Sequence, residues 1–365
     1  MLFDMRPKTR REDLFDRDPE LKKFNDSLPH AALIVVTGLR RTGKTSFLDV
    51  ALSCINHPYV IVDVCDLPTV PSRAEIIKKV DEAFNKMDKK WKTPVSAALK
   101  HVKGVYLAGA SITFGWDKKG IDLAALLDEI DAWAKKNNQL FLLAFDEIQL
   151  VRGDKYLPRL LARIADTNRN TVIVITGSEV GLLYDFLGFD NPESPLFGRH
   201  FVEISMSSFT SEQSKEFLKL GFKQVDIKCP DEVIEYAIEK LDGVAGWLTL
   251  FGLKSQESKT CTKEVVDETL DVGGRLARSE ALKIAKFSHR YGLILDFLAQ
   301  NGEKPWSAIK DVLDANEGRK VTNTAVTELL NRLIKTNVLM KVNGNYRISD
   351  PILTHGLQRE PLCRS

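Results

Sequence analysis

The sequence predicts an α/β fold in which a parallel sheet flanked by helices is followed by a helical segment and a C-terminal winged helix. Three observations lead there. Five apolar runs, at residues 31–37, 59–64, 140–145, 171–176 and 201–206, alternate with helical patterns, as in a doubly wound sheet. Between the first run and the helix after it, Gly38-Leu39-Arg40-Arg41-Thr42-Gly43-Lys44-Thr45 spells G-x-x-x-x-G-K-T. Near the C-terminus, Asn343-Gly344 separates two β-prone runs that follow three helical patterns.

Residues 1–30 read as a polar lead-in. The run 31–37 is apolar without alternation through Leu33, Ile34, Val35 and Val36, which suits a strand buried on both faces. Phe47, Leu48, Val50 and Ala51 then recur at helical spacing. Strand, loop and helix are the context that the glycine motif requires. Four fixed positions match by chance in a chain of this length about once in a hundred, from typical residue usage, so an accidental glycine-rich turn is rejected. The segment is a phosphate-binding loop of the P-loop NTPase type. Its glycines let the backbone curl until main-chain N–H groups from Gly38 to Gly43 point at phosphate oxygens. Lys44 reaches the β- and γ-phosphates and the Thr45 hydroxyl holds Mg²⁺. Ser46 stands at the positive end of the following helix and completes the nucleotide-binding set.

The run 59–64 is a second strand, and residues 104–116 carry β-prone residues around a glycine turn, read as an inserted hairpin. Residues 123–130 form a helix. The buried run 140–145 then ends in Asp146-Glu147. A strand that delivers a carboxylate to its C-terminal tip supplies the Mg²⁺-side acid of a phosphate-loop enzyme. Asp146 takes that role, and Glu147 takes a proton from the attacking water or orients it. The bland alternative is a pair of solvated acids capping a helix. The strand 171–176 ends at Gly177-Ser178-Glu179, where Ser178, with Thr176 second, is the candidate γ-phosphate sensor. Ser178 is equally placed to cap a helix over 180–187.

After residue 206 the pattern turns helical, at 211–220, 231–241 and 247–254, the size of a lid. From about residue 282 it changes again. Two short helical patterns precede a third at 324–336, where Val326, Leu329, Leu330, Leu333 and Ile334 share one face. The runs 338–342 and 345–348 flank Asn343-Gly344, the strongest short hairpin signal. Three helices and a hairpin make a winged helix. The expected divisions are 1–206 for the nucleotide-binding core, 207–280 for the lid and 281–365 for the winged helix.

Bulk properties narrow the function. With 52 Lys and Arg against 50 Asp and Glu, the formal net charge is +2, so no general attraction to nucleic acid or anionic membrane exists. No stretch approaches the roughly 20 apolar residues of a membrane span. The five cysteines are odd in number and scattered, without C-x-x-C, so neither a zinc site nor a disulfide framework is expected, and a reducing cytoplasmic setting follows.

The motifs together resemble the archaeal ATPase family within the AAA+/STAND group. The resemblance covers nearly the whole chain. It rests on Phe15-Asp16-Arg17, the Gly-Leu-Arg-Arg-Thr-Gly-Lys-Thr loop, Phe145-Asp146-Glu147, Thr176-Gly177-Ser178-Glu179 and Glu193-Ser194-Pro195-Leu196-Phe197-Gly198-Arg199. It implies an AAA+-like core, a helical lid and a winged helix, with ATP and Mg²⁺ bound. It also implies that Asp16 and Arg17 line the adenine pocket. It makes Arg199 a candidate arginine finger or phosphate sensor, in cis or in trans. A surface, salt-bridging arginine is the alternative. Arg40 and Arg41 are assigned to phosphate or to a lid acid, with solvent as the alternative for at least one. Where many relatives carry Gly-x-Pro in the lid, this chain has Gly243-Val244-Ala245, and Trp247 reads as lid core.

The leading function is an Mg²⁺-dependent ATPase switch whose nucleotide state repositions lid and winged helix for a macromolecular partner. The alternative is an ATP-modulated DNA-binding regulator with little turnover, in which Arg332, Lys335, Lys341 and Arg347 offer phosphate contacts. DNA and protein remain equal candidates for the winged helix, no membrane partner is expected, and the oligomeric state is open.

Overall fold

The computed structural model describes residues 1–108, 111–114, 122–189 and 191–363. They form two compact units, one of residues 8–38 and 44–206 and another of residues 1–7, 39–43 and 207–365.

The first unit runs α1 (Asp18–Ser27), β1 (Leu33–Gly38), α2 (Lys44–Ser53), β2 (Tyr59–Asp63), α3 (Arg73–Lys86), α4 (Lys89–Ala98), β3 (Val105–Ala108), β4 (Ser111–Phe114), α5 (Leu123–Lys136), β5 (Phe141–Asp146), α6 (Tyr156–Thr167), β6 (Thr171–Gly177), α7 (Val180–Leu187) and β7 (Val202–Met206). Five strands form one parallel sheet in the order β2-β5-β6-β1-β7. Side chains alternate across it, so each face has its own core. Leu33 and Val35 of β1 face a core with Phe145, Ile173 and Ile175 and with residues of α3, α5 and α6. Ile34 and Val36 face the other, with Phe24 of α1 and Phe47 and Leu48 of α2. Burial on both faces is why the central strands β1, β5 and β6 read as unbroken apolar runs. The expected hairpin is the antiparallel pair β3 and β4, with Val105 opposite Phe114. Its turn, Gly109 and Ala110, and the stretch 115–121 lie outside the described residues.

The second unit holds α8 (Ser211–Gln224), α9 (Asp231–Leu241), α10 (Ala245–Ser258), α11 (Lys263–Ala285), α12 (His289–Asn301), β8 (Lys304–Pro305), α13 (Trp306–Glu317), α14 (Asn323–Lys335), β9 (Leu339–Val342), β10 (Asn345–Ile348) and α15 (Pro351–Arg359). The winged helix is α12, α13 and α14 with a small antiparallel sheet, β8-β10-β9. Asn343 at φ 50° and Gly344 at φ 87° turn the hairpin as an Asn-Gly pair does. Sequence patterning misses two elements. Helix α11 continues through residues 280 and 281, and α15 follows the wing. They cross glycine on glycine: a Cβ on Gly356 would lie 2.4 Å from the Gly274 carbonyl oxygen, so neither position tolerates a side chain. The N-terminus is also less polar than it reads. Phe3 is buried against Phe217 and Phe222, over Gly221 and Gly252, where a Cβ would meet its ring at 2.2 Å.

The cysteine expectation is corrected. Cys229 and Cys261 form a disulfide, with Cα atoms 5.0 Å apart. They lie 32 residues apart in sequence, in the connections before α9 and before α11, and only the folding back of α9 and α10 brings them together. A cysteine count therefore says nothing here about compartment. On the chain-entropy account, a bridge over 32 residues is worth about 3 to 4 kcal/mol. Reduction, or the pair Cys229→Ser and Cys261→Ser, is expected to lower the melting temperature by calorimetry. An unchanged melt would show that the bridge does not stabilise the fold.

Candidate functional site

The phosphate loop joins the end of β1 to the start of α2. Three of its residues have left-handed backbone, Gly38 at φ 154°, Arg41 at φ 66° and Gly43 at φ 95°. A Cβ on Gly43 would meet nothing within 4 Å, so glycine is needed there for conformation rather than room. Thr42 Oγ1 donates to the Leu39 carbonyl at 2.8 Å and closes the loop on itself.

Lys44 opens α2 and is buried, with Nζ 3.8 Å from Glu147 Oε1. Thr45 Oγ1 donates to Asp146 Oδ2 at 3.0 Å. The other Asp146 oxygen accepts from Thr176 Oγ1. Three chain-distant predictions thus meet on one carboxylate. The parallel register explains it, because β6 pairs with β5 on one side and β1 on the other and brings their C-terminal tips to one edge. Burial pushes the Asp146 carboxyl up, the Thr176 hydrogen bond opposes it and the Glu147 charge adds to it; the net shift is upward.

Glu147 has left-handed backbone, φ 54° and ψ 43°, and its N–H donates to Thr176 Oγ1 at 2.9 Å. Its Oε2 accepts from Ser178 N–H at 3.0 Å and Ser178 Oγ at 2.8 Å. Glu179 is the N-cap residue of α7, and the Ser178 hydroxyl is engaged with the acid. Ser46 Oγ accepts from the Lys8 N–H at 3.0 Å, which ties the lead-in to the head of α2.

Asp16 and Arg17 stand at the head of α1, on the sheet face covered by α2. Asp16 is left-handed at φ 43°, and Arg17 is buried with a 3.1 Å pair to Glu20. Arg199 is placed apart from this cluster. It donates to Asp166 Oδ1 at 2.8 Å and Oδ2 at 2.5 Å, and to the Pro195 carbonyl. Asp166 is at the C-terminal end of α6, which leads into the start of β6, and Arg199 itself precedes the start of β7. Both lie at the amino edge of a parallel sheet whose carboxyl edge carries Lys44, Asp146 and Ser178. Strands of this length separate the two edges by roughly 15–20 Å. Arg199 thus stands at the edge of the sheet opposite to Lys44, Asp146 and Ser178.

Arg40 and Arg41 belong with the second unit, and both find an acid there. Glu280 of α11 accepts from Arg41 at 2.7 and 3.2 Å and pairs with Arg40 at 3.3 Å. The Arg41 guanidinium also lies over the Trp247 ring, 4.3 Å from its centroid. The Arg41 carbonyl accepts the Gly246 N–H at 2.9 Å. Trp247 is buried, as expected of lid core, and its indole N–H donates to Asp350, the cap of α15, at 3.3 Å. Ala245 is the first residue of α10, a position where proline is also tolerated, so its replacement of proline leaves the helix start intact.

Sequence reading misses three neighbours of the site. Asp49 lies one helical turn beyond Thr45, and burial together with the Asp146 charge raises its carboxyl to about 6. The i, i+4 spacing was the available signal. Gln149 is fully buried beside Glu147, and Glu280 meets the loop from far along the chain.

A family model described as an ATPase domain predominantly from Archaea matches residues 14–251. A second, for the MCM protein C-terminal winged helix-turn-helix domain, matches residues 285–349. Among solved structures, the Walker-type ATPase PABY2304 of Pyrococcus abyssi is 33% identical, with a TM-score of 0.84 over 98% of this chain and 100% of that one. The ORC2 protein of Aeropyrum pernix, in ADPNP and ADP complexes, has a TM-score of 0.61 at 13% identity over 98% and 96% of the two chains, a likeness of fold. No curated protein matches by sequence.

The Glu280 cluster predicts a pH effect. Burial raises the Glu280 carboxyl, but the hydrogen bond and charge of Arg41, then Arg40, outweigh it and hold it below its ordinary 4.5. A depressed carboxylate stabilises fully above its unfolded value and ceases to do so as pH falls through the folded one. Glu280→Gln is expected to be less stable to melting than wild type near neutral pH, by about 1 kcal/mol, with the gap closing as pH falls below the ordinary carboxylate range. A gap independent of pH would refute the ion pair's contribution.

Proposed function

The chain belongs to the family of ATPase domains found predominantly in Archaea, and from that premise we propose that it is an Mg²⁺-dependent ATP switch whose nucleotide state repositions the lid and winged helix for a macromolecular partner. It is an ATPase with an AAA+-like core and a C-terminal winged helix. The observation that carries the finer reading is the meeting of Thr45, Asp146 and Thr176 on one carboxylate beside Lys44 and Glu147.

The donors suit a magnesium ion, since the Thr45 hydroxyl and Asp146 carboxylate are both hard oxygen ligands 3.0 Å apart. When bound, Mg²⁺ neutralises charge on the β- and γ-phosphates. The chain's own groups do the rest. Backbone N–H groups of the phosphate loop and Lys44 Nζ hold the triphosphate. Glu147 keeps Oε2 in hydrogen bonds and turns Oε1 toward Lys44, free to orient a water or take its proton. Ser178 links the end of β6 to that acid and reports the γ-phosphate through it. Asp16 and Arg17 take the adenine side, by resemblance.

Coupling to the remainder of the chain runs through the loop itself. Arg41 binds α11 through Glu280 and α10 through Trp247, so a change in loop shape on nucleotide binding is felt by both helices. Residues 207–280 then act as lid and 281–365 as the output module; among the described residues no helix is long and apolar enough to cross a membrane. A second reading, a DNA-binding regulator set by ATP, is favoured by the winged-helix match at residues 285–349. Arg332 and Lys335 on α14 and Lys341 and Arg347 on the wing would meet phosphates.

Two measurements test this. Steady-state ATP turnover with Mg²⁺ is expected to fall by about 100-fold or more in Glu147→Gln, while Lys44→Ala loses nucleotide binding by calorimetry. Wild type no faster than Glu147→Gln would remove the hydrolytic role of that acid. Duplex DNA binding by anisotropy, with and without ATP, is expected to weaken steeply with salt if the wing reads DNA, with a log–log slope near −0.9 per phosphate neutralised. No salt-dependent binding would leave a protein as the partner.

A further inference from the structure

Gln149 has no role in the chemistry described so far, yet it sits in the most demanding environment at the site. It lies in the short 3-10 turn Ile148–Val151 that follows Glu147, and it is completely buried. Its Nε2 donates to Glu147 Oε2 at 2.5 Å. The same oxygen accepts Ser178 N–H and Ser178 Oγ, so three donors converge on Oε2. Oε1 is the oxygen that faces Lys44, at 3.8 Å.

The other end of the Gln149 amide is informative because it is unsatisfied. Oε1 of Gln149 is buried and has no hydrogen-bond partner among the described residues. A buried carbonyl without a donor destabilises the fold. Methionine, of similar length and volume, would fill the space without that cost. The neighbouring backbone is also adapted to the amide. A Cβ on Gly177 would fall 2.7 Å from Gln149 Oε1 and 2.9 Å from a Leu183 methyl, so the end of β6 stays bare where the amide lies. A side chain that lowers stability and is given room is retained for what its donor does.

We propose that Gln149 is a positioning residue for ATP hydrolysis, whose amide clamps the Glu147 carboxylate through Oε2 so that Oε1 alone is presented to the attacking water. The inference rests on the reading above that Glu147 acts on that water. The backbone of Glu147 is left-handed, a conformation an unbranched acid holds only when its surroundings fix it. Ser178 holds the carboxylate from the β6 side and Gln149 from the turn side. With both in place the carboxyl plane cannot rotate, and the water meets one oxygen in one orientation.

The test is Gln149→Met in the full chain, alone and combined with Glu147→Gln. Expected are a fall in kcat of about 10- to 100-fold, a KM and a dissociation constant for a non-hydrolysable ATP analogue within about twofold of wild type, and a melting temperature equal to or above that of wild type. In the Glu147→Gln background the same substitution should cost little or nothing further, because the group it orients is gone. An unchanged kcat overturns the inference. So does a marked loss of melting temperature, since the amide would then be a stabilising core group, and so does an equal loss of rate in both backgrounds. Wild type without Mg²⁺-dependent ATPase would overturn both this and the underlying reading. An active wild type with an unaffected Gln149→Met overturns this inference alone.

Discussion

Parallel pairing of β6 between β5 and β1 is the arrangement from which the site follows. Parallel strands end on the same edge, and strands buried on both faces leave polar side chains to the strand ends. Asp146, Thr176 and Lys44 are nonetheless buried there, at 6%, 0% and 4% exposure. Buried polar and charged groups persist only when partnered. The Thr45 and Thr176 hydroxyls serve Asp146, while Ser178 and Gln149 serve Glu147. The apolar sheet and the polar edge are therefore one solution: the former fixes strand register, and register decides which hydroxyl meets which acid.

Much of this was legible along the chain. The phosphate loop is local, so its glycines, Lys44 and Thr45 could be read from eight consecutive residues. Asp146 and Glu147 could be read because an apolar run must end before a charge. The wing was readable from Asn343-Gly344, whose turn chemistry is also local. What was not legible depends on pairs distant in sequence. Glu280 looks like any acid on a solvated helix until Arg41 is seen beside it. Cys229 and Cys261 look scattered until the helices between them fold back. Arg199 lies in a motif that suggested phosphate, and only strand direction shows that it sits at the other edge. Helices α11 and α15 carry mixed polar faces and internal glycines, so their pattern is weak. Gln149 could have been suspected from its place two residues past Glu147, but its fully buried setting could not.

Two arginines inside a phosphate-binding loop would be a puzzle if both faced the nucleotide, since Lys44 already supplies a cation there. In the structure both pair with Glu280. Arg41 does more than neutralise an acid. Its planar guanidinium lies on the Trp247 ring while forking onto the carboxylate, a geometry lysine cannot reproduce. Trp247 in turn holds Asp350 at the head of α15. The loop tip is thus fastened to three helices by one side chain and the indole beneath it.

The bare contact between Gly274 and Gly356 bears on how such a fastening is felt elsewhere. Helices that touch backbone to backbone pack closely, and a side chain added at either glycine would force α15 away from α11. At 23 residues α11 is about 34 Å long, and a tilt of some ten degrees about one end sweeps the other through roughly 6 Å. Under the switch proposed above, an adjustment near Glu280 would be magnified along the helix in that proportion. Two missing side chains set how closely that helix pair packs.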